Sequence, residues 1–337
     1  MIRAGIVGAG LMGRWHAWAI KRVGGYLSAV ADIDQNAARH LTRKYRGTVS
    51  FSNVEQMLDR IPLDVLHICT PAATHYKIAE LAIEAGLNLM IEKPMTLQAR
   101  EAEHLFDQAE SRGVLLCPVH QFLFQDGVLK ARKLLPRIGR LVHMEGVFYS
   151  AGGTGLTREQ LDFIVADILP HPLSLMYLFL PTTLPEKDWL VMRPGYGELR
   201  ALGESSGVTL VIFISMNARP TVCSFQIIGT TGTIHLDLFH GFAFMEPGKV
   251  ARTRKILHPF DLAFRRLSSA TLNLGRRIFQ REPAYPGLRR LVADFYKAVQ
   301  TRSESPISQE ETLAVARIRD RLIQGAGLVS SVGPKDP

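Results

Sequence analysis

IRAGIVGAGLMG, residues 2 to 13, is the stretch that decides the fold. An apolar run ends at Gly8, Gly10 and Gly13, spaced G-x-G-x-x-G, and RWHAWAIKRV continues at helical spacing. A strand that turns on glycines straight into a helix is a phosphate-binding device. Gly8 permits the tight turn, Gly10 lets the backbone approach a pyrophosphate, and Gly13 lets the helix pack against the strand. Leu11 and Met12 open the helix, whose free N–H groups would hold the anion. Asp32, at the end of LSAVAD, follows at the distance where a carboxylate accepts the adenosine ribose hydroxyls and repels a 2′-phosphate. Asp34 reads as the N-cap of the next helix. The cofactor expected is NAD rather than NADP.

Further along, LDVLHICTP, LNLMIEKP and VLLCPVHQ read as strands, separated by the helical stretches AATHYKIAELAIEAG and LQAREAEHLFDQAESRG. Apolar strands alternating with helices predict a doubly wound parallel sheet over residues 1–120. Beyond it GRLVHMEGVFYS, GELRALGES, GVTLVIFISMN, TVCSFQIIGT and GTIHLDLFHG follow one another through turns such as GESSG and GTTG. Residues 121–337 are therefore expected to form an α+β domain with a mainly antiparallel sheet, serving substrate binding and oligomerisation.

The whole chain has 337 residues, enough for two domains, with 47% hydrophobic and 21% charged residues. Cys69, Cys117 and Cys223 form neither a metal pattern nor a disulfide framework. A reducing, cytoplasmic setting is expected, with each cysteine a small core residue and no metal. No uninterrupted apolar run reaches bilayer length, and the N-terminus lacks the apolar core of a signal peptide.

In a doubly wound sheet, ligands sit at the carboxyl ends of the strands. One strand ends in Cys69-Thr70-Pro71 with His75 just beyond, and another in Glu92-Lys93-Pro94. There proline fixes the departing backbone, lysine directs an ammonium into the cleft, and glutamate compensates it. GIVGAGLMGRWHA, ICTPAATHYKIAELAIEAG and EKP, in this order, resemble the glucose–fructose oxidoreductase/inositol dehydrogenase (Gfo/Idh/MocA) family. The resemblance implies a Rossmann domain, a nicotinamide cofactor and hydride transfer at a hydroxyl or ketone carbon, usually of a sugar or polyol. It makes Lys93 the active-site lysine, and Thr70, Pro71, His75 and Glu92 cofactor-lining positions.

The family's D-x-G-x-H-x-x-D segment is matched by ADILPHPLSLMYLF, with Asp167 as the acid and His171 as the histidine. His171 would take the hydroxyl proton, Asp167 orient its ring, and Lys93 polarise the oxygen. Leu169 and Ser174 replace the pattern's glycine and final acid. Pro170 and Pro172 argue against a regular helix across Asp167 and His171, and a helix start near Pro172 would put His171 at a positive helix end that favours the neutral ring. Gln121 falls on the family's asparagine, and Phe122 and Leu123 on its basic positions. Two other readings remain: a non-catalytic dinucleotide-binding regulator, and an enzyme using transient oxidation for elimination or glycoside cleavage.

The net charge is +9. Lys249 to Arg290 holds eleven Lys and Arg against Asp261 and Glu282, while the remaining 29 basic and 29 acidic residues cancel. Within this basic segment, 249–290, Phe260, Ala263, Phe264, Leu267, Leu274 and Ile278 share one helical face, with Arg265 and Arg276 opposite. The segment reads either as a helix packed on the second domain's sheet or at a subunit contact, or as the site of an anionic partner. That partner would be the diphosphate of a nucleotide- or lipid-linked sugar, or an anionic membrane surface. Nucleic acid is not expected, because no aromatics are interleaved for base stacking. A sugar-like small molecule and a homo-oligomer complete the expected partners.

Overall fold

The computed structural model describes residues 1–150, 152–248, 255–282 and 284–328. Its first six strands and five helices alternate along the chain: β1 (Arg3–Val7), α1 (Leu11–Arg22), β2 (Tyr26–Ala31), α2 (Gln35–Thr42), β3 (Val49–Phe51), α3 (Val54–Arg60), β4 (Val65–Ile68), α4 (His75–Glu84), β5 (Asn88–Ile91), α5 (Ala99–Arg112) and β6 (Leu116–Pro118). The sheet order is β3-β2-β1-β4-β5-β6, with every pairing parallel. The order reverses between β1 and β4, so the chain leaves these neighbouring strands on opposite faces and opens a crevice at their carboxyl ends. Every residue of β4 is buried, as a strand covered on both faces must be.

The next stretch comprises α6 (Asp126–Leu134), β7 (Leu141–Tyr149), α7 (Arg158–Ile168), α8 (Pro170–Phe179), β8 (Leu190–Met192), β9 (Glu198–Ser205), β10 (Val208–Ser215), β11 (Val222–Gly229), β12 (Gly232–Asp237), β13 (Phe242–Pro247) and α9 (His258–Gln280). Its sheet order is β13-β12-β11-β7-β10-β9-β8. All pairs are antiparallel except β7 with β10. The helical crossover of α7 and α8 carries the chain back so that it re-enters the sheet in the same direction, which a hairpin cannot do. Alternating burial along β9 shows one face packed and the other open.

Two further helices follow, α10 (Leu288–Thr301) and α11 (Gln309–Ala326). Met1–His120 and Leu288–Ala316 form one compact unit, and Gln121–Gly287 with the residues from Arg317 form the other. Residues 288–316 thus depart from the expected 121–337 domain. α10 buries Leu291, Val292, Phe295 and Tyr296, and Tyr296 reaches His67 in β4.

The helix start expected near Pro172 falls two residues earlier, at Pro170. α7 runs into α8 through Leu169, which keeps right-handed helical dihedrals. Pro170 and Pro172 remove N–H donors without breaking the path, and Leu173 N resumes bonding to Leu169 O at 3.3 Å. His171 therefore lies in the first turn of α8, directly after the Leu169 junction with α7.

The same stretch, Arg158–Phe179, is long and apolar enough to cross a membrane by length and composition, although Asp162 and Asp167 interrupt its apolar run. Of its most apolar window, 61% is buried. The Asp162 carboxylate accepts from Gly197 N at 2.9 Å and pairs with Arg193. These contacts mark a core helix whose buried charge is compensated.

Candidate dinucleotide site

The glycine loop has the geometry its spacing predicts. Gly8 adopts φ +97°, and a Cβ there would lie 2.6 Å from Cys69 O. At Gly13 a Cβ would lie 1.9 Å from Gly8 O, so the first turn of α1 packs directly on the loop. Nothing lies within 4 Å of a Cβ at Gly10. That open side, beside exposed Leu11 and half-buried Met12, is where a diphosphate could reach the backbone. The first turn of α1 carries no acidic residue to oppose an anion.

Asp32 closes the loop. Its Oδ2 accepts from Ala9 N at 2.6 Å and its Oδ1 from Asp34 N at 2.8 Å. Each oxygen keeps a lone pair for a ribose hydroxyl. Asp34 caps α2 by accepting from Asn36 N at 2.9 Å, the role its position predicts. These features fit a dinucleotide. A methyl at Gly13 is expected to displace the loop, because its contact is backbone. We expect Gly13→Ala to lower stability by about 1–3 kcal/mol and to weaken NAD binding; thermal melts and calorimetric titration check both.

At the end of β4, Thr70 is half-buried and Pro71 exposed. Thr70 Oγ1 accepts from Thr74 Oγ1 at 2.7 Å. His75 is buried, with Nδ1 3.0 Å from Pro94 O and Nε2 2.8 Å from Thr70 O. A neutral ring can donate to one of these carbonyls, and an imidazolium to both. The ring holds the turns after β4 and β5 together.

Glu92 explains the acid that ends a buried strand. Its carboxylate turns inward: Oε1 lies 3.0 Å from His16 Nε2, and Oε2 accepts from Lys93 N at 3.2 Å. His16 Nδ1 lies 2.7 Å from His67 Nδ1, and His67 Nε2 lies 2.9 Å from Tyr296 Oη. One proton assignment satisfies every link. Tyr296 donates to His67, His67 to His16, and His16 to Glu92. Burial, and then the neighbouring His16, holds the His67 pKa well below its ordinary value. Burial holds the Tyr296 phenol well above its ordinary value. Both fit a neutral ring and an intact hydroxyl. The sequence reading missed His16, His67 and Tyr296. The available signal was a histidine in the middle of the apolar strand LDVLHI, which must find buried partners.

Lys93 follows directly, half-buried, and the Lys93–Pro94 peptide is cis. The relay fixes the backbone from which Lys93 departs.

In the other unit, Asp167 and His171 lie four residues apart along the helical path, on one face. His171 is buried and its ring stacks on Phe122, with centroids 4.2 Å apart and an interplanar angle of 18°. Arg319 Nε donates to Ala166 O at 3.1 Å. Burial lowers the Arg319 pKa, against the charges of Asp320 and Asp167. Gln121 Oε1 is buried with no hydrogen-bond partner among the described residues.

Burial pushes the thiols of Cys117 and Cys223 up to about 12 and that of Cys69 well above its ordinary value, so none is a nucleophile near neutral pH. Among the described residues no group of three His, Cys, Asp or Glu could hold a metal ion.

A glycine loop opening α1, an acid at the end of β2 and a crevice at a strand-order reversal define a dinucleotide-binding fold. The family model for the oxidoreductase family with an NAD-binding Rossmann fold matches residues 2–120. The likeness to that oxidoreductase family therefore rests on this domain, about a third of the chain. It is 32% identical over 148 residues to UDP-N-acetylglucosamine 3-dehydrogenase of Acidithiobacillus ferrooxidans, covering 40% of this chain and 46% of that protein. The chain thus aligns with less than half the length of that curated relative. A solved structure of the same dehydrogenase superposes with TM-score 0.73 at 20% identity, covering 98% of each chain. The 3-ketoreductase KijD10 of Actinomadura kijaniata, in complex with NADP and TDP-benzene, superposes at 0.75 with 21% identity, covering 96% of this chain and 98% of that one. Levoglucosan dehydrogenase, in complex with NADH and levoglucosan, gives 0.75 at 19%, covering 97% of each. At these identities the structural likeness shows the fold.

Proposed function

We propose that this chain is an NAD-dependent oxidoreductase that moves hydride to or from a hydroxyl or ketone carbon of a sugar-like substrate. Nucleotide-linked sugars are the first class to test. The observation carrying the reading is the glycine loop closed by Asp32, with an open approach at Gly10. The named substrates of similar proteins, UDP-N-acetylglucosamine in one and levoglucosan in another, support the substrate class.

Bound NAD would supply the nicotinamide that accepts or gives hydride. The loop N–H groups would bind its pyrophosphate and Asp32 its ribose. Thr70 and Pro71 would line the cofactor, His75 and Glu92 would hold the surrounding turns, and Gln121 would offer its unpartnered oxygen to a donor. The Lys93 ammonium would stabilise negative charge on the reacting oxygen. His171 would take the hydroxyl proton in oxidation and return it in reduction, with Asp167 setting the charge beside the ring.

NAD is expected to bind more tightly than NADP by about tenfold or more, because a 2′-phosphate would face the Asp32 carboxylate. The next side chain, Ile33, is exposed and offers no compensating charge. Calorimetric titration of both cofactors decides the point, and tighter NADP binding overturns it. Asp32→Asn should narrow the gap. Mass spectrometry of co-purified cofactor, followed by a hydride-transfer screen against free and nucleotide-linked sugars, tests the activity. No turnover with any member of either class would sink the substrate assignment.

A further inference from the structure

α9 faces the wrong way for a core helix. Its polar side is turned inward: Ser269 Oγ donates to Ala243 O at 2.6 Å, and Lys130 Nζ donates to the same carbonyl at 2.8 Å. Asn273 Nδ2 donates to His240 O at 2.9 Å, and Arg276 Nη1 lies 3.2 Å from Asp126 Oδ2. Among its described residues Ser269 alone is classed as buried. The opposite side carries Phe260, Phe264, Leu267, Leu274 and Ile278, each 59% to 73% exposed, and Phe279 near its end is 90% exposed. The stripe expected to pack on the sheet is therefore the solvent face. Of the basic segment, Lys249 to Arg254 lie outside the described residues.

Twenty-three residues make a helix about 35 Å long. An apolar stripe from Phe260 to Ile278, about 28 Å of that length, has the shape of an interfacial helix lying flat. Charge decides its occupant. The whole net charge of the chain falls between Lys249 and Arg290. A second copy seated face to face on the stripe would set two such segments against each other, and like charges repel. An anionic bilayer satisfies both features. Acyl chains would take the apolar stripe, while Lys255 and Arg266 would remain at headgroup level.

We propose that α9 docks this protein on anionic phospholipid surfaces. The proposal stands apart from the redox reading, and its test measures no turnover. Vesicle sedimentation of the full chain compares pure phosphatidylcholine with a mixture containing about 30% phosphatidylglycerol, at low and physiological salt. Phe260→Ser, Phe264→Ser and Leu267→Ser are combined in one variant, and Lys255→Glu with Arg266→Glu in another. All five side chains are exposed, so an unchanged melting temperature confirms that each variant folds. We expect binding to the anionic vesicles only, weakened by salt and reduced about tenfold or more in each variant. The proposal is overturned if the wild type stays in solution with anionic vesicles at low salt, or if the serine variant sediments as the wild type does. Light scattering that shows a dimer dissociated by the serine substitutions would likewise overturn it, by assigning the stripe to a second copy.

Discussion

Lys93→Met is expected to slow hydride transfer by about 10²-fold or more, the scale of losing a general acid–base or charge-stabilising group. His171→Asn should produce a loss of the same order. Removing hydride from a secondary alcohol leaves a proton that must go somewhere and a growing negative charge on oxygen. In the proposed mechanism His171 would address the proton and Lys93 the charge. Both would then act on one event, so the double variant should lose less than the product of the two single losses. NAD affinity should survive in His171→Asn, because the glycine loop and Asp32 belong to the unit that lacks His171. Stopped-flow measurement of NADH formation, with calorimetric titration of NAD, separates these effects. Unchanged turnover in both variants would mean that the site is misplaced. Lost turnover accompanied by lost NAD affinity in His171→Asn would contradict the division of roles.

The residues that could be read ahead were those whose local geometry admits few alternatives. Gly8 needs a positive φ, Gly13 needs a missing side chain, and Asp34 needs only its own helix to cap. Strands such as β4 and β5 announced themselves as apolar runs ended by polar residues. β3 and α3 escaped because three strand residues and seven helical ones are too short to show a period. The direction of α9 was illegible for another reason. A helical pattern divides apolar from polar faces without saying which one meets the protein. Here Lys130 and the Ala243 carbonyl, distant in sequence, select the polar face. The inward turn of Glu92 was hidden in the same way, since its partners are remote along the chain. Taken alone, EKP suggests an acid compensating its neighbouring lysine. His16, on α1, instead places that carboxylate inside.

The relay makes the second large prediction. His67→Leu would strand two buried groups, the Tyr296 hydroxyl and the His16 Nδ1. At about 1–3 kcal/mol for each unsatisfied group, the loss is about 2–6 kcal/mol. Tyr296→Phe strands only His67 Nε2 and should lose about half as much. The wild type should also depend on pH in a defined direction. In the unfolded chain His67 titrates near its ordinary 6.5, whereas in the folded chain its pKa lies well below that. As pH falls through that value, the unfolded state binds a proton that the folded state refuses, so stability falls. The slope reaches at most about 1.4 kcal/mol per pH unit for this one group, and above the ordinary value its contribution is flat. Facing His67 are His16 on α1, the Glu92 carboxylate beyond it and Tyr296 on α10. The clean comparison is therefore the difference in slope between wild type and His67→Leu. Urea unfolding at pH 7.5, 6.5 and 5.5 should show the wild type losing stability across the lower interval and the variant losing less. Parallel profiles would mean that His67 is charged in the folded protein, and the Tyr296–His67 link alone would then reverse, with His67 Nε2 donating to the phenol oxygen.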